Sequence, residues 1–289
     1  MRKKDFAYVA GLIDADGSLY ISKSTNENGY TQFDPIIMVR TTHLKTAKWL
    51  VDRFGGMYDR IDWKHDKWKP YYRWKFTSDK KAAIFLDKII PHLWLKKEQA
   101  IVLKQYFSLN GTVVPRVRMM LADRCSSLNK GESVTTNTSG LSSNAYIAGM
   151  FDGEGSSYII RVKQSAQSRG KGFYYRACVS LGSTSKSLAV QLKKLFGGSW
   201  RERPPHNGKL PMYEWSVQDN KGKERFLLSI IPYLITKKEQ SGIVLNFVRM
   251  NKEPDPDTRK RAWIECTKLN GKKRESDLIG DDKSSPTVM

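Results

Sequence analysis

Ala7-Tyr8-Val9-Ala10-Gly11-Leu12-Ile13-Asp14-Ala15-Asp16-Gly17-Ser18 returns later in the chain as Ala145-Tyr146-Ile147-Ala148-Gly149-Met150-Phe151-Asp152-Gly153-Glu154-Gly155-Ser156. Each copy reads as an apolar helical run ending in two acids and a glycine. Small residues recur four apart, Gly11 and Ala15 in one copy and Gly149 and Gly153 in the other, so one face of each helix is nearly bare backbone. Two such faces are expected to pack closely against each other. If the helices run side by side in the same direction, Asp16 and Glu154 meet at the bottom of their seam.

The repeat extends downstream in the same order. Gly55-Gly56 corresponds to Gly197-Gly198, and Tyr72-Arg73-Trp74 to Tyr213-Glu214-Trp215. Pro91 to Lys96-Lys97-Glu98-Gln99 corresponds to Pro232 to Lys237-Lys238-Glu239-Gln240. Periodicity gives α-β-β-α-β-β-α for each half, an α+β class fold with a four-stranded antiparallel sheet used twice. The expected organisation is one half over 1–109, a polar surface linker over 110–144, a second half over 145–270, and a charged, loose tail over 271–289.

The 289 residues suffice for two modest cores, and 39% of them are hydrophobic. Lys and Arg number 50 against 29 Asp and Glu, a formal charge of +21. Such a surplus favours a polyanion, nucleic acid ahead of an anionic membrane surface. Cys125, Cys178 and Cys266 are odd in number and far apart, which fits neither a disulfide framework nor a zinc knuckle. The four histidines lack metal-ligand spacing. The apolar run after Arg2-Lys3-Lys4 stops at Asp14 with no cleavage pattern, so no signal peptide is expected. No apolar stretch is long enough to span a bilayer. The expected setting is a reducing, intracellular one, a bacterial cytoplasm or an organelle matrix.

Strand alternation assigns a polar face to each sheet. In the first half it carries Tyr20, Ser22, Ser24, Asn26, Gln32, Asp34, Arg40, Tyr71, Arg73 and Lys75. In the second it carries Ser157, Arg161, Lys163, Ser165, Gln167 and Arg169, then Tyr174, Arg176 and Ser180, then Arg201, Arg203, Glu214, Ser216 and Gln218. These are side chains able to reach base edges and phosphates, so the faces are read as a DNA-binding surface.

Carboxylates in a last helical turn oppose the helix dipole at about 0.3–1 kcal/mol each, and two such turns placed together add mutual repulsion. A divalent cation removes the conflict, because carboxylate and carbonyl oxygens are the ligands Mg²⁺ prefers. The first acid of each pair, Asp14 and Asp152, is expected to hydrogen-bond nearby backbone, and the second to be functional.

Val9 to Gly17 and Ile147 to Gly155 resemble the defining motif of the LAGLIDADG homing endonucleases. The first copy departs from its consensus at Val9, and the second at Ile147, Met150, Phe151, Gly153 and Glu154. The resemblance covers both halves. It implies two saddle-shaped sheets astride a long double-stranded DNA site, and cleavage of both strands across the minor groove to leave short 3′ overhangs. It further implies that Asp16 and Glu154 bind the metal, with main-chain oxygens of Ala15 and Gly153 beside them. The metal would be Mg²⁺, with Mn²⁺ able to substitute and Ca²⁺ supporting binding without cleavage. An assisting lysine maps to Lys96 and Lys237, with the adjacent Lys97 and Lys238 as alternatives, and water-positioning hydroxyls map to Thr41 and Ser183. A single chain carrying both halves, acting as a monomer, can read an asymmetric site. Two rival readings share the scaffold: an intron RNA maturase, and a DNA-binding protein without cleavage.

Overall fold

The computed structural model describes residues 2–63, 69–76, 79–109, 115–130, 143–164, 173–205, 210–250 and 256–269. The first half runs α1 (Lys3–Asp16), β1 (Gly17–Thr25), β2 (Thr31–Thr41), α2 (Leu44–Phe54), β3 (Met57–Ile61), β4 (Tyr71–Lys75), α3 (Asp79–Ile89), α4 (Lys97–Phe107) and α5 (Pro115–Lys130). The second repeats it as α6 (Asn144–Glu154), β5 (Gly155–Lys163), β6 (Phe173–Ser183), α7 (Lys186–Phe196), β7 (Ser199–Arg203), β8 (Met212–Val217), α8 (Asn220–Ile230), α9 (Lys238–Arg249) and α10 (Pro256–Leu269). The sheets are antiparallel with strand orders β1-β2-β4-β3 and β5-β6-β8-β7, the same topology twice.

Local sequence explains the equivalence. Helix α2 buries Thr46, Ala47, Leu50 and Phe54, and α7 buries Leu188, Ala189, Leu192 and Phe196, an identical spacing along one face. Each ends at a Gly-Gly pair with φ between 76° and 80°, a left-handed conformation that a Cβ disfavours. The carbonyl of the first glycine accepts a bond from a fully buried indole, Trp74 Nε1 to Gly55 O at 2.8 Å and Trp215 Nε1 to Gly197 O at 2.9 Å. That bond fixes the β4 and β8 strands against the preceding helices.

The expected linker is corrected over 115–130. Those residues form α5, which packs against α4 and β1 as α10 packs against α9 and β5. Its apolar side, Leu121, Ala122, Cys125 and Leu128, faces the core at helical spacing, with Ala122 and Cys125 buried. Asn129 Nδ2 ties it down by donating to Leu19 O at 3.0 Å. Helix α5 is thus part of the first unit. The 271–289 tail lies outside the described residues.

Candidate active site and nucleic-acid interface

Helices α1 and α6 make the most extensive contact between elements. They are apolar all round, and residues 7–14 and 145–152 are buried throughout. A Cβ on Gly11 would sit 2.0 Å from the Tyr146 carbonyl oxygen, and one on Gly149 would sit 2.0 Å from that of Tyr8. Only glycine permits this approach. Further down, a Cβ on Gly153 would meet the Ala15 methyl at 2.4 Å and Asp16 Oδ2 at 3.2 Å. The helices therefore run in the same direction and bring Asp16 to the C-terminal end of the partner helix, beside Glu154.

The first acids are structural, as expected. Asp14 accepts main-chain N–H bonds from Trp94, Leu95 and Lys96 at 2.7, 3.0 and 2.8 Å, capping the entry to α4. Asp152 accepts those of Ile235, Thr236 and Lys237 at 2.7, 3.1 and 2.8 Å, capping α9. Each also accepts a phenol from the opposite half, Tyr146 to Asp14 and Tyr8 to Asp152, both at 2.7 Å. The two tyrosines were not singled out in the sequence, although they occupy the same place in both copies of the quoted repeat.

Lys96 and Lys237 close the ends of the motif helices. Lys96 Nζ donates to the carbonyls of Ile13, Asp14 and Gly17 at 2.8, 3.1 and 2.8 Å. Lys237 Nζ donates to those of Phe151, Asp152 and Gly153 at 2.9, 2.8 and 3.0 Å. All three ammonium protons of each lysine are engaged on carbonyls at the helix ends, and Ile13 O and Phe151 O accept a main-chain N–H from Gly17 and Gly155 as well. Lys97 and Lys238 instead begin α4 and α9.

Burial raises the Asp16 carboxyl above its ordinary range, with Lys237 and Lys96 pulling it back. Burial and then the Asp16 charge raise Glu154, again against the two lysines. Burial in turn lowers both lysines, opposed by Asp14, Asp16 and Glu154 at Lys96 and by Asp152, Asp16 and Glu154 at Lys237. Two acids and two bases thus share one small site, each with its charged form disfavoured by burial. Thr41 Oγ1 accepts the His43 N–H at 3.2 Å and Ser183 Oγ the Ser185 N–H at 3.1 Å, so both hydroxyl oxygens also hold the turns into α2 and α7.

Among the described residues, helices cover one face of each sheet and leave the other open. On the open face of the second sheet, a groove of about 360 Å³ is lined by Tyr158, Arg176, Cys178, Ser180, Glu214 and Ser216, among others.

Neither the family models nor the curated proteins give a match to this sequence. The solved structures do. The meganuclease I-SmaMI bound to uncleaveable DNA superposes with a TM-score of 0.68 at 18% identity, over 93% of this chain and 98% of that one. The LAGLIDADG homing endonuclease I-GzeII in complex with its DNA target gives 0.64 at 15%, over 93% and 98%. I-SmaMI bound to uncleaved DNA in the presence of calcium ions gives 0.59 at 16%, over 92% and 97%. The chain has the LAGLIDADG homing endonuclease fold.

In that fold the polar sheet faces fall largely where alternation puts them. Tyr20, Ser22, Ser24, Gln32, Asp34, Arg40, Tyr71, Arg73 and Lys75 share the open face of the first sheet by register. Tyr174, Arg176, Ser180, Glu214, Ser216, Arg201 and Arg203 share that of the second. Asn26 sits at the β1–β2 hairpin, where its Oδ1 accepts the Tyr30 N–H at 2.9 Å. Gln218 follows β8 and donates to Ser216 Oγ at 2.8 Å.

Strand β5 is corrected: its odd residues face the helices. Ser157 is wholly buried and hydrogen-bonded to Ser241 at 3.0 Å. The Arg161 guanidinium lies 4.8 Å from the Trp263 ring of α10 and 4.2 Å from that of Phe173. Lys163 alternates with them at the exposed end of the strand. The open face instead carries Ser156, Tyr158, Ile160 and Val162, opposite Ser180, Cys178, Arg176 and Tyr174. Ser165, Gln167 and Arg169 lie outside the described residues.

The donor set at the seam suits a hard divalent cation. Two carboxylates converge there with main-chain oxygens alongside, and the Gly153 carbonyl keeps a lone pair beyond its bond to Lys237. Among the described residues no group of three or more His, Cys, Asp or Glu side chains could hold a metal. Further ligands would have to be carbonyls, water or phosphate.

Proposed function

We propose that the protein is a site-specific DNA endonuclease that makes Mg²⁺-dependent double-strand breaks in a long, asymmetric target and leaves short 3′ overhangs. The observation that carries this reading is the convergence of Asp16 and Glu154 at the end of the seam between the two sheets. Endonucleases of the same fold are bound to DNA in I-SmaMI and I-GzeII, and the +21 charge supplies the attraction to phosphate.

Asp16 and Glu154 would hold the cation, and bound there it would activate water and stabilise charge on the phosphate and the leaving oxygen. The two sheets straddle the duplex and set its register over the acids. Lys96 and Lys237, with every proton donated to a helix-end carbonyl, neutralise the negative ends of α1 and α6. That allows the two acids to stand side by side and ready to ionise. The lysines therefore act electrostatically at the phosphates. The closed seam holds the whole set rigid.

Selecting cleaved sites from a randomised DNA library with Mg²⁺ identifies the target. On that target, Asp16→Asn or Glu154→Gln should abolish double-strand cleavage while Ca²⁺-supported binding remains within a few fold of the wild type. Full cleavage by either variant would sink the assignment.

A further inference from the structure

The open faces of the two sheets carry the same kind of ion pair with its polarity reversed. In the first, register places Asp59 of β3 opposite Arg73 of β4. Arg73 Nε donates to Asp59 Oδ1 at 3.1 Å, and Nη2 donates to the other carboxylate oxygen. In the second, Arg201 of β7 lies opposite Glu214 of β8. Glu214 Oε2 accepts from Arg201 Nε and Nη2 at 2.9 and 2.7 Å and from Arg203 Nε and Nη2 at 3.1 and 2.6 Å. The buried indoles next in sequence, Trp74 and Trp215, make the same bond to the same glycine position, so Arg73 and Glu214 are structurally equivalent residues.

Each pair leaves one recognition edge open. Asp59 engages the Nε–Nη2 side of the Arg73 guanidinium, and Nη1 makes no hydrogen bond among the described residues, which leaves the far edge of the fork, Nη1 and the second Nη2 proton, for a ligand. Such an edge matches O6 and N7 of guanine in the major groove. At Glu214 all four guanidinium bonds fall on Oε2, and Oε1 accepts none among the described residues. A carboxylate oxygen is the natural acceptor for the cytosine N4 amine. Both readers are held in one orientation by their partners before any base arrives, which lowers the entropy lost on binding.

We infer that Arg73 and Glu214 are matched base readers, Arg73 selecting a guanine in one half-site and Glu214 a cytosine at the position related to it by the pseudo-twofold axis. The inference rests on the endonuclease reading above and adds a constraint on the target. Two arginines at these places would read guanines on opposite strands, as a palindrome requires. A carboxylate in one of them replaces that guanine by cytosine, so the target carries guanine on the same strand at both mirror-related positions.

The test is sequencing of sites cleaved from a randomised library by the wild type and variants, with melting temperatures recorded. The wild type should show same-strand guanines at one mirror-related pair of positions. Arg73→Ala should lose about tenfold or more of its selectivity at one of them alone, and Glu214→Ala at the other alone. The double substitution Arg201→Asp with Glu214→Arg keeps an ion pair should Glu214→Ala fold poorly, and it should convert the second position to the palindromic base. A wild type that cuts no site would remove the endonuclease reading and this inference with it. Profiles unmoved by the variants, or changes at positions unrelated by the axis, would remove the inference alone.

Discussion

At Asp14 a carboxylate accepts three main-chain N–H bonds and a phenol, whereas Asp16, two residues on, stands against Glu154 and two lysines. Burial raises Asp16 and Glu154, so between the ordinary carboxylate range and their raised values the native state binds protons that the unfolded chain releases. Their contribution to metal-free stability is therefore complete below about pH 4 and lost as pH climbs through the raised values. In a chelator, the wild-type melting temperature should fall more steeply from pH 4 to 7 than that of Asp16→Asn/Glu154→Gln, as calorimetry would record. Parallel curves would mean the acids are not perturbed. The repeat made this pair legible, because it marks the last acid of each copy. It could not show that Ser157 and Arg161 point inward. Alternation gives a period and not a direction, and what turns Arg161 inward is Trp263, a hundred residues away in a helix whose packing has no local signal.

Helices α1 and α6 meet with backbone against backbone, and the small-residue spacing foretold that contact. Gly11→Ala would drive a methyl into the Tyr146 carbonyl, a clash with main chain that no rotamer relieves. It should cost about 3 kcal/mol, read as a lowered denaturant midpoint, and reduce cleavage further by displacing Asp16. A midpoint equal to the wild type would show that the helices lie further apart. Helix α5 escaped the sequence reading for the converse reason. Composition averaged over 110–144 is polar, and it hides one apolar stripe whose partner, β1, lies far upstream. The succession of elements and the paired Gly-Gly turns needed no such partner, being written locally in both copies.

For the molecule as a whole, charge decides how it approaches its partner. With a net charge of +21 on the whole chain and basic side chains on both open sheet faces, neutralising six to ten phosphates should weaken DNA binding about a thousandfold between 50 and 200 mM salt. Fluorescence anisotropy on the selected target would measure it, and a nearly flat response would mean that phosphate contacts do not dominate docking. Among the described residues no helix is long and apolar enough to cross a membrane.

The phenols that cross the seam have one more implication. Tyr146 of one half steadies Asp14 of the other, Asp14 steadies the amide of Lys96, and the mirror chain runs from Tyr8 through Asp152 to Lys237. Should the halves part even briefly, both phenol bonds break together and Asp16 and Glu154, which come from different halves, move apart. The joint therefore works as a safety catch: a half that has come loose from its twin keeps its lysine seated but holds only one acid of the pair.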